Sequence, residues 1–159
     1  MRKPELLAPV LGSTLFFFLA PGVVAGLVPW AISGWPAPRF WPAIVLVGAG
    51  VLVLLRAFLR FVREGRGTPA PVAPTERLVV GGDYRYVRNP MYVAVVATIL
   101  GQAILFLDLR LLIYAVVAWA LMAAFVHWYE EPVLRERYGR EYQEYCRTVP
   151  AWWPRTPRR

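Results

Sequence analysis

Apolar residues fall into four runs along the chain, at residues 7–30, 40–62, 91–106 and 111–128. A membrane-spanning helix needs about 20 mostly apolar residues, with a working range near 17–25. Three of the runs meet that length, and the third is short of it. Runs three and four are separated only by Leu107-Asp108-Leu109-Arg110, and so short a link predicts an antiparallel helical hairpin. The first run follows Arg2 and Lys3, as a secretory leader does. A leader's apolar region is only about 7–15 residues long, however, so this run reads as a retained span. The pattern as a whole predicts an all-α integral membrane bundle of about four transmembrane helices.

The intervening stretches divide by type. Residues 63–76 (REGRGTPAPVAPTE) carry Pro and Gly with no period, which predicts a loop. In residues 132–145, Leu134, Tyr138, Tyr142 and Tyr145 recur at helical spacing opposite a charged face. That predicts a C-terminal amphipathic helix at the headgroups. Trp152 and Trp153 then read as interface anchors between the helix stops Pro150 and Pro154. The expected organisation is one membrane domain, residues 1–159. It comprises an N-terminal helix pair (1–62), a cytoplasmic loop (63–83) and a core of hairpin plus tail (84–159).

Composition supports the membrane assignment. The 159 residues are 58% hydrophobic, against roughly 45–50% for a soluble domain, and the mean hydropathy is +0.45. The net charge is +8, unevenly spread. Arg39 alone lies between runs one and two, and Arg110 alone between runs three and four. The other sixteen of eighteen basic residues flank the opposite ends. The positive-inside rule therefore places both termini on the cytoplasmic side, in a multi-pass protein of the cytoplasmic (inner) membrane. Those charges read as orientation signals, and no nucleic-acid partner is expected. Gly22-x-x-x-Gly26 in run one permits a homodimer. Arg56 and Arg60 either snorkel to the headgroups or, in the case of Arg56, meet an acidic partner within the bundle. A single cysteine, Cys146, excludes an internal disulfide and reads as incidental. One histidine and one cysteine leave no transition-metal site, and no phosphate loop or dinucleotide fingerprint is present.

Two polar clusters interrupt the runs at the same depth. One is Tyr84-Arg85-Tyr86-Val87-Arg88-Asn89-Pro90-Met91-Tyr92, entering run three. The other is His127-Trp128-Tyr129-Glu130-Glu131-Pro132, leaving run four. The hairpin brings them together, one cationic and one anionic. Pro90 predicts a helix start there, with Asn89 as N-cap and free N–H groups suited to an anion. Pro132 is expected to turn Glu131 out of the helix and bend the chain. The adjacent carboxylates Glu130 and Glu131 should face different ways and need cations, for which Arg85, Arg88 and Arg135 are available. His127 reads as a base or, more simply, as a helix-end histidine facing headgroups.

These clusters resemble those of the isoprenylcysteine carboxyl methyltransferases and the related phospholipid methyltransferases. The resemblance rests on Gly82-x-Tyr84-x-x-x-Arg88-Asn89-Pro90-x-Tyr92, Glu130-Glu131-x-x-Leu134 and Tyr138-Gly139-x-x-Tyr142-x-x-Tyr145-x-x-x-Val149-Pro150, over about residues 76–154. It implies methyl transfer from S-adenosylmethionine to a lipophilic acceptor, carboxylate or amine headgroup. By the same resemblance, cofactor contacts fall on Tyr84, Asn89, Pro90, Met91, Tyr92 and Glu130, and near a strand-like stretch at residues 76–79. The catalytic positions are Arg88, Asn89 and Glu131. The family's usual histidine before the proline is Asn89 here. The eukaryotic carboxyl methyltransferases carry an arginine four residues before the first glutamate. Val126 stands there, which argues against a prenylated-cysteine carboxylate as acceptor. The rival reading is a non-catalytic scaffold or lipid-binding protein on the same fold, which has no need of both clusters.

Overall fold

A computed structural model describes residues 19–65 and 77–156. All regular structure among them is helical. The start of run one, with Arg2 and Lys3, and most of the Pro/Gly-rich loop lie outside the described residues. Helix α1 (Leu19–Ser33) is followed by α2 (Ile44–Gly65), α3 (Pro90–Phe106), α4 (Leu109–Phe125) and α5 (Glu131–Thr148). The stretches Trp41–Arg60 and Leu109–Thr148 are long and apolar enough to cross a membrane, while Leu19–Ser33 and Pro90–Phe106 are shorter apolar helices. Helix α2 runs to Gly65, so its last turn takes up the start of the expected loop. Residues 77–80 have no strand, contrary to the strand-like reading of 76–79. Val79 is instead buried with Ala57 and Tyr84, an anchor that needs no strand partner.

The central core joins Leu54 and Phe58 of α2, Ala94, Val95 and Ile99 of α3, and Ala115 and Ala118 of α4. Helices α2 and α3 approach closely where Gly50 faces Thr98. A Cβ at Gly50 would stand 3.0 Å from the Ala94 carbonyl oxygen, so only a residue without a side chain allows this approach. The α3–α4 hairpin turns at Leu107, whose φ of 51° is left-handed. The Asp108 N–H donates to Ala103 O at 3.0 Å, closing α3 with a Schellman-type cap. Asp108 then caps α4 by accepting from the Arg110 N–H at 2.9 Å.

Two of the prolines within helix among the described residues, Pro29 and Pro132, each follow a π turn. The turn Val23–Leu27 ends two residues before Pro29, and Val126–Glu130 ends two residues before Pro132. A proline ring collides with the carbonyl four residues back and supplies no N–H to it. One π turn moves that carbonyl aside and lets the helix run on. In α1 the freed carbonyls are taken up from neighbouring helices. Gln102 Nε2 donates to Ala25 O at 2.7 Å, and the Tyr114 hydroxyl donates to Val24 O at 2.7 Å. Gln102 Oε1 also accepts from Trp35 Nε1 at 3.1 Å. The buried Gln102 is thereby accounted for deep in the apolar bundle.

Pro132 therefore does not turn Glu131 out of the helix, which runs on through it. Glu131 is helical (φ −60°, ψ −44°), and its N–H donates to Val126 O across the π turn. The break comes later, at Gly139 (φ 51°, ψ −119°). The tail helix forms, but its tyrosine stripe is covered by the protein. Tyr142, Tyr145 and Val149 are buried together, with Leu78, Leu134, Tyr138 and Cys146 packed on them. Apart from their chain neighbours and their own helix backbone, no described residue lies within 4 Å of the place a Cβ would take at Gly22 or Gly26.

Candidate functional site

The hairpin does bring the two polar clusters together. A 3-10 turn, Gly82–Arg85, leads into α3. Tyr84 on that turn is 7% exposed, and its backbone carbonyl accepts from the Tyr145 hydroxyl at 2.7 Å. Burial, followed by the neighbouring Tyr145, Glu130 and Asp83, raises the Tyr84 phenol well above its ordinary value. The phenol is therefore neutral at physiological pH.

Arg88 is the hub. Its Nη1 donates to Glu131 Oε1 at 2.9 Å, to Cys146 Sγ at 2.8 Å and to the Tyr142 hydroxyl at 3.4 Å. Burial by itself lowers the Arg88 pKa, but Cys146, Tyr142 and Glu131 around it raise it by more, so it ends above the usual guanidinium value. Arg88 Nε is buried with no acceptor among the described residues. The second oxygen of Glu131 accepts from Arg135 Nη2 at 3.2 Å.

Glu130 faces elsewhere. It accepts a hydrogen bond from the Tyr92 hydroxyl and pairs with no cation among the described residues. The two carboxylates thus diverge, because consecutive helical residues point about 100° apart. One is neutralised by two arginines, and the other is held by a single phenol.

Asn89 occupies the N-cap position of α3, but its side chain makes no capping bond. Its Nδ2 donates instead to Ala151 O at 3.1 Å. Nearby, the Arg88 N–H donates to Pro150 O at 2.8 Å and the Arg155 N–H to Tyr86 O at 3.0 Å. Residues 150–155 thus lie across the entry to α3. Trp152 on this segment meets the Tyr92 ring at 6.4 Å and the Trp119 ring at 6.2 Å. Pro90 is fully buried and Met91 packs into the core.

The other expected participants are spread out. Arg85 is exposed. His127 is exposed beside Trp128, and Tyr129 stacks on Phe125 at 5.2 Å. Arg56 does find an acid, Asp83 at 3.5 Å, although its side chain is 61% exposed. Trp153 is 80% exposed, whereas Trp152 is half-buried. Three residues gain importance that the sequence alone did not give them: Cys146, Trp152 and Asp83. Cys146 carried one usable signal, since it falls four residues after Tyr142 on the tyrosine stripe.

The family model for phospholipid methyltransferases matches residues 38–141, from the approach to α2 into α5. The chain belongs to the phospholipid methyltransferase family. It is also similar to Protein-S-isoprenylcysteine O-methyltransferase B of Arabidopsis thaliana, with 34% identity over 79 residues, which is 49% of this chain and 40% of that protein. The match thus spans less than half of that relative's length. No solved structure matches the chain. Both kinships agree with the family that the motifs resemble. The family match also takes in an apolar cleft of about 310 Å³ between α2 and α3. The cleft is lined by Leu46, Gly50 and Val53 on one side and Val93, Ala94 and Ala97 on the other, with Asp83 and Tyr86 at one end.

Proposed function

We propose that this protein is an S-adenosylmethionine-dependent methyltransferase of the cytoplasmic membrane that acts on a lipophilic acceptor. The observation that carries this reading is a mismatch of charges at the α3–α4 cytoplasmic end. Among the described residues Glu130 has a phenol but no cation, and Arg88 has a buried Nε with no acceptor. A carboxylate away from water needs a positive partner, and a buried guanidinium nitrogen needs an acceptor. A zwitterionic amino-acid moiety supplies both. S-adenosylmethionine therefore fits the residues present, with its ammonium toward Glu130 and its carboxylate toward Arg88 and the α3 N-terminus.

In this reading Tyr84 and Tyr92 offer ring faces to adenine or to the positive sulfonium. The backbone at Asn89, Pro90 and Met91 forms the floor, since Pro90 and Met91 commit their side chains to the core. When bound, the cofactor supplies an electrophilic methyl group on sulfur. The protein then has to align the acceptor and exclude water. Arg88 and Glu131 hold each other, and so fix the pocket wall against α5. The cleft between α2 and α3 is of a size typical of ligand sites, which start near 300 Å³, and it suits an apolar chain of the acceptor. Helices α1 to α4 serve as four spans of a single domain, with both chain ends and α5 on the cytoplasmic side. Helix α3, about 25 Å long, is just sufficient for this.

The test is calorimetric titration of the purified full chain in detergent with S-adenosylmethionine, repeated with Glu130→Gln. Binding by the wild type, weakened tenfold or more in the variant, supports the reading. No binding at millimolar cofactor overturns it. Transfer of a labelled methyl group into extracted membrane lipid then identifies the acceptor by a mass shift of one methyl group.

A further inference from the structure

We infer that Asn89 acts on the C-terminal segment rather than on a ligand: its side chain latches residues 150–155, and this latch seats Trp152 as the wall of the pocket beside Tyr92. Asn89 stands where a capping residue belongs, and asparagine is among the best caps known. Its side chain nevertheless makes no capping bond. The only donor group of that side chain is spent on Ala151 O at 3.1 Å. With its oxygen making no cap, the contact sixty-two positions away is the hydrogen bond that orients this side chain, which marks that contact as the constrained feature.

The segment is pinned on both sides of Trp152, and always to the same short stretch. Pro150 O is held by the Arg88 N–H, Ala151 O by Asn89 Nδ2, and the Arg155 N–H by Tyr86 O. Between these pins the Trp152 ring lies between Tyr92 of α3 and Trp119 of α4, 6.4 Å and 6.2 Å away. It thereby covers the α3–α4 seam beside the phenol that holds Glu130. Both are positioning residues. Asn89 places the strap, and Trp152 places Tyr92 and closes the seam. The consequence for the cofactor pocket rests on the methyltransferase reading, but the latch itself does not.

The test is hydrogen–deuterium exchange of the full chain in detergent, read on peptides covering residues 86–90 and 150–156. Asn89→Asp is the informative variant. Aspartate caps a helix as well as asparagine does, but it cannot donate to the Ala151 carbonyl. Loss of one hydrogen bond to the strap predicts exchange about tenfold faster at the Arg88 and Arg155 amides. Asn89→His keeps a donor and should keep wild-type protection. Under the methyltransferase reading, Asn89→Asp and Trp152→Ala both weaken cofactor binding severalfold as well, because one puts a capping carboxylate at the α3 N-terminus and the other frees Tyr92. Unchanged exchange in Asn89→Asp overturns the latch, even if activity is lost. Faster exchange in a protein whose wild type binds no cofactor upholds the latch and removes the methyltransferase reading alone. Equal loss of protection in Asn89→His also overturns the latch, because a donor would then not be what matters.

Discussion

The Arg88–Glu131 pair permits a quantitative test of how the tail is fastened to the membrane bundle. The two groups are 2.9 Å apart, with side chains 15% and 11% exposed. Exposed pairs contribute about 0–1 kcal/mol. Removing one partner of a buried pair costs about 3–5 kcal/mol, because the other charge stays behind uncompensated. Glu131 keeps Arg135 at 3.2 Å, but that arginine is 59% exposed and its charge is screened. Arg88→Met should therefore cost about 2–4 kcal/mol, somewhat below the full buried-pair value. Glu131→Gln should cost a similar amount, because Arg88 would retain only Cys146 and Tyr142. The assay is a double-mutant cycle on equilibrium unfolding in mixed detergent micelles, followed by helix circular dichroism. The expected coupling energy is about 2 kcal/mol. A value under about 0.5 kcal/mol, the size found for exposed pairs, would refute the claim that this pair is desolvated and holds α5 to the α3 entry.

Other outcomes follow from single contacts. Tyr92→Phe removes the hydroxyl that Glu130 accepts from among the described residues, and calorimetric titration should show cofactor binding about tenfold weaker, with a loss of stability of about 1–3 kcal/mol. Gly82→Ala places a Cβ at φ +56°, about 2.5 Å from Arg60 Cδ, and should lower stability by roughly 1–3 kcal/mol in the same unfolding assay. Burial raises the Tyr84 phenol above its value in the unfolded chain, so its contribution is intact below about pH 10 and lost as pH rises further; Tyr84→Phe should flatten the alkaline slope of stability. Gln102→Leu strips a donor from Ala25 O and an acceptor from Trp35, costing about 1–3 kcal/mol. Pro29→Ala, by returning an N–H to α1, should reduce that cost when the two are combined.

The sequence reading was accurate where a rule depends on composition over many residues, and it failed where a rule depends on one residue's neighbours. Runs of apolar residues located α2, α3 and the hairpin, because hydrocarbon burial acts on the whole face of a helix. The pairing of Tyr84–Tyr92 with Glu130–Glu131 was equally legible, since a four-residue link leaves the two ends nowhere else to go. Pro132 was misread because the local rule assumes an α-helix on its N-terminal side. A π turn satisfies the same steric demand without ending the helix, and nothing in the residues 126–130 announces one. The tyrosine stripe of α5 shows the other limit. Spacing at 134, 138, 142 and 145 establishes that one face is apolar, but not what covers it. Headgroups and protein make the same demand on a pattern, and here Leu78, Val149 and the Tyr84 carbonyl meet it.

Asn89 shows why the same limit reaches function. Its position before Pro90 made capping the natural reading, because the cap is the nearest set of unsatisfied donors. The acceptor it uses lies on Ala151, beyond any local rule. What makes the choice intelligible is the α3 N-terminus itself. A capping side chain would occupy the N–H groups that the proposed anion needs, whereas a side chain turned to the strap leaves them clear and closes the pocket with the same bond. An asparagine at this place serves an open helix end better by not capping it. Restoring the cap with Asn89→Asp should therefore cost the strap, and should leave the helix itself intact.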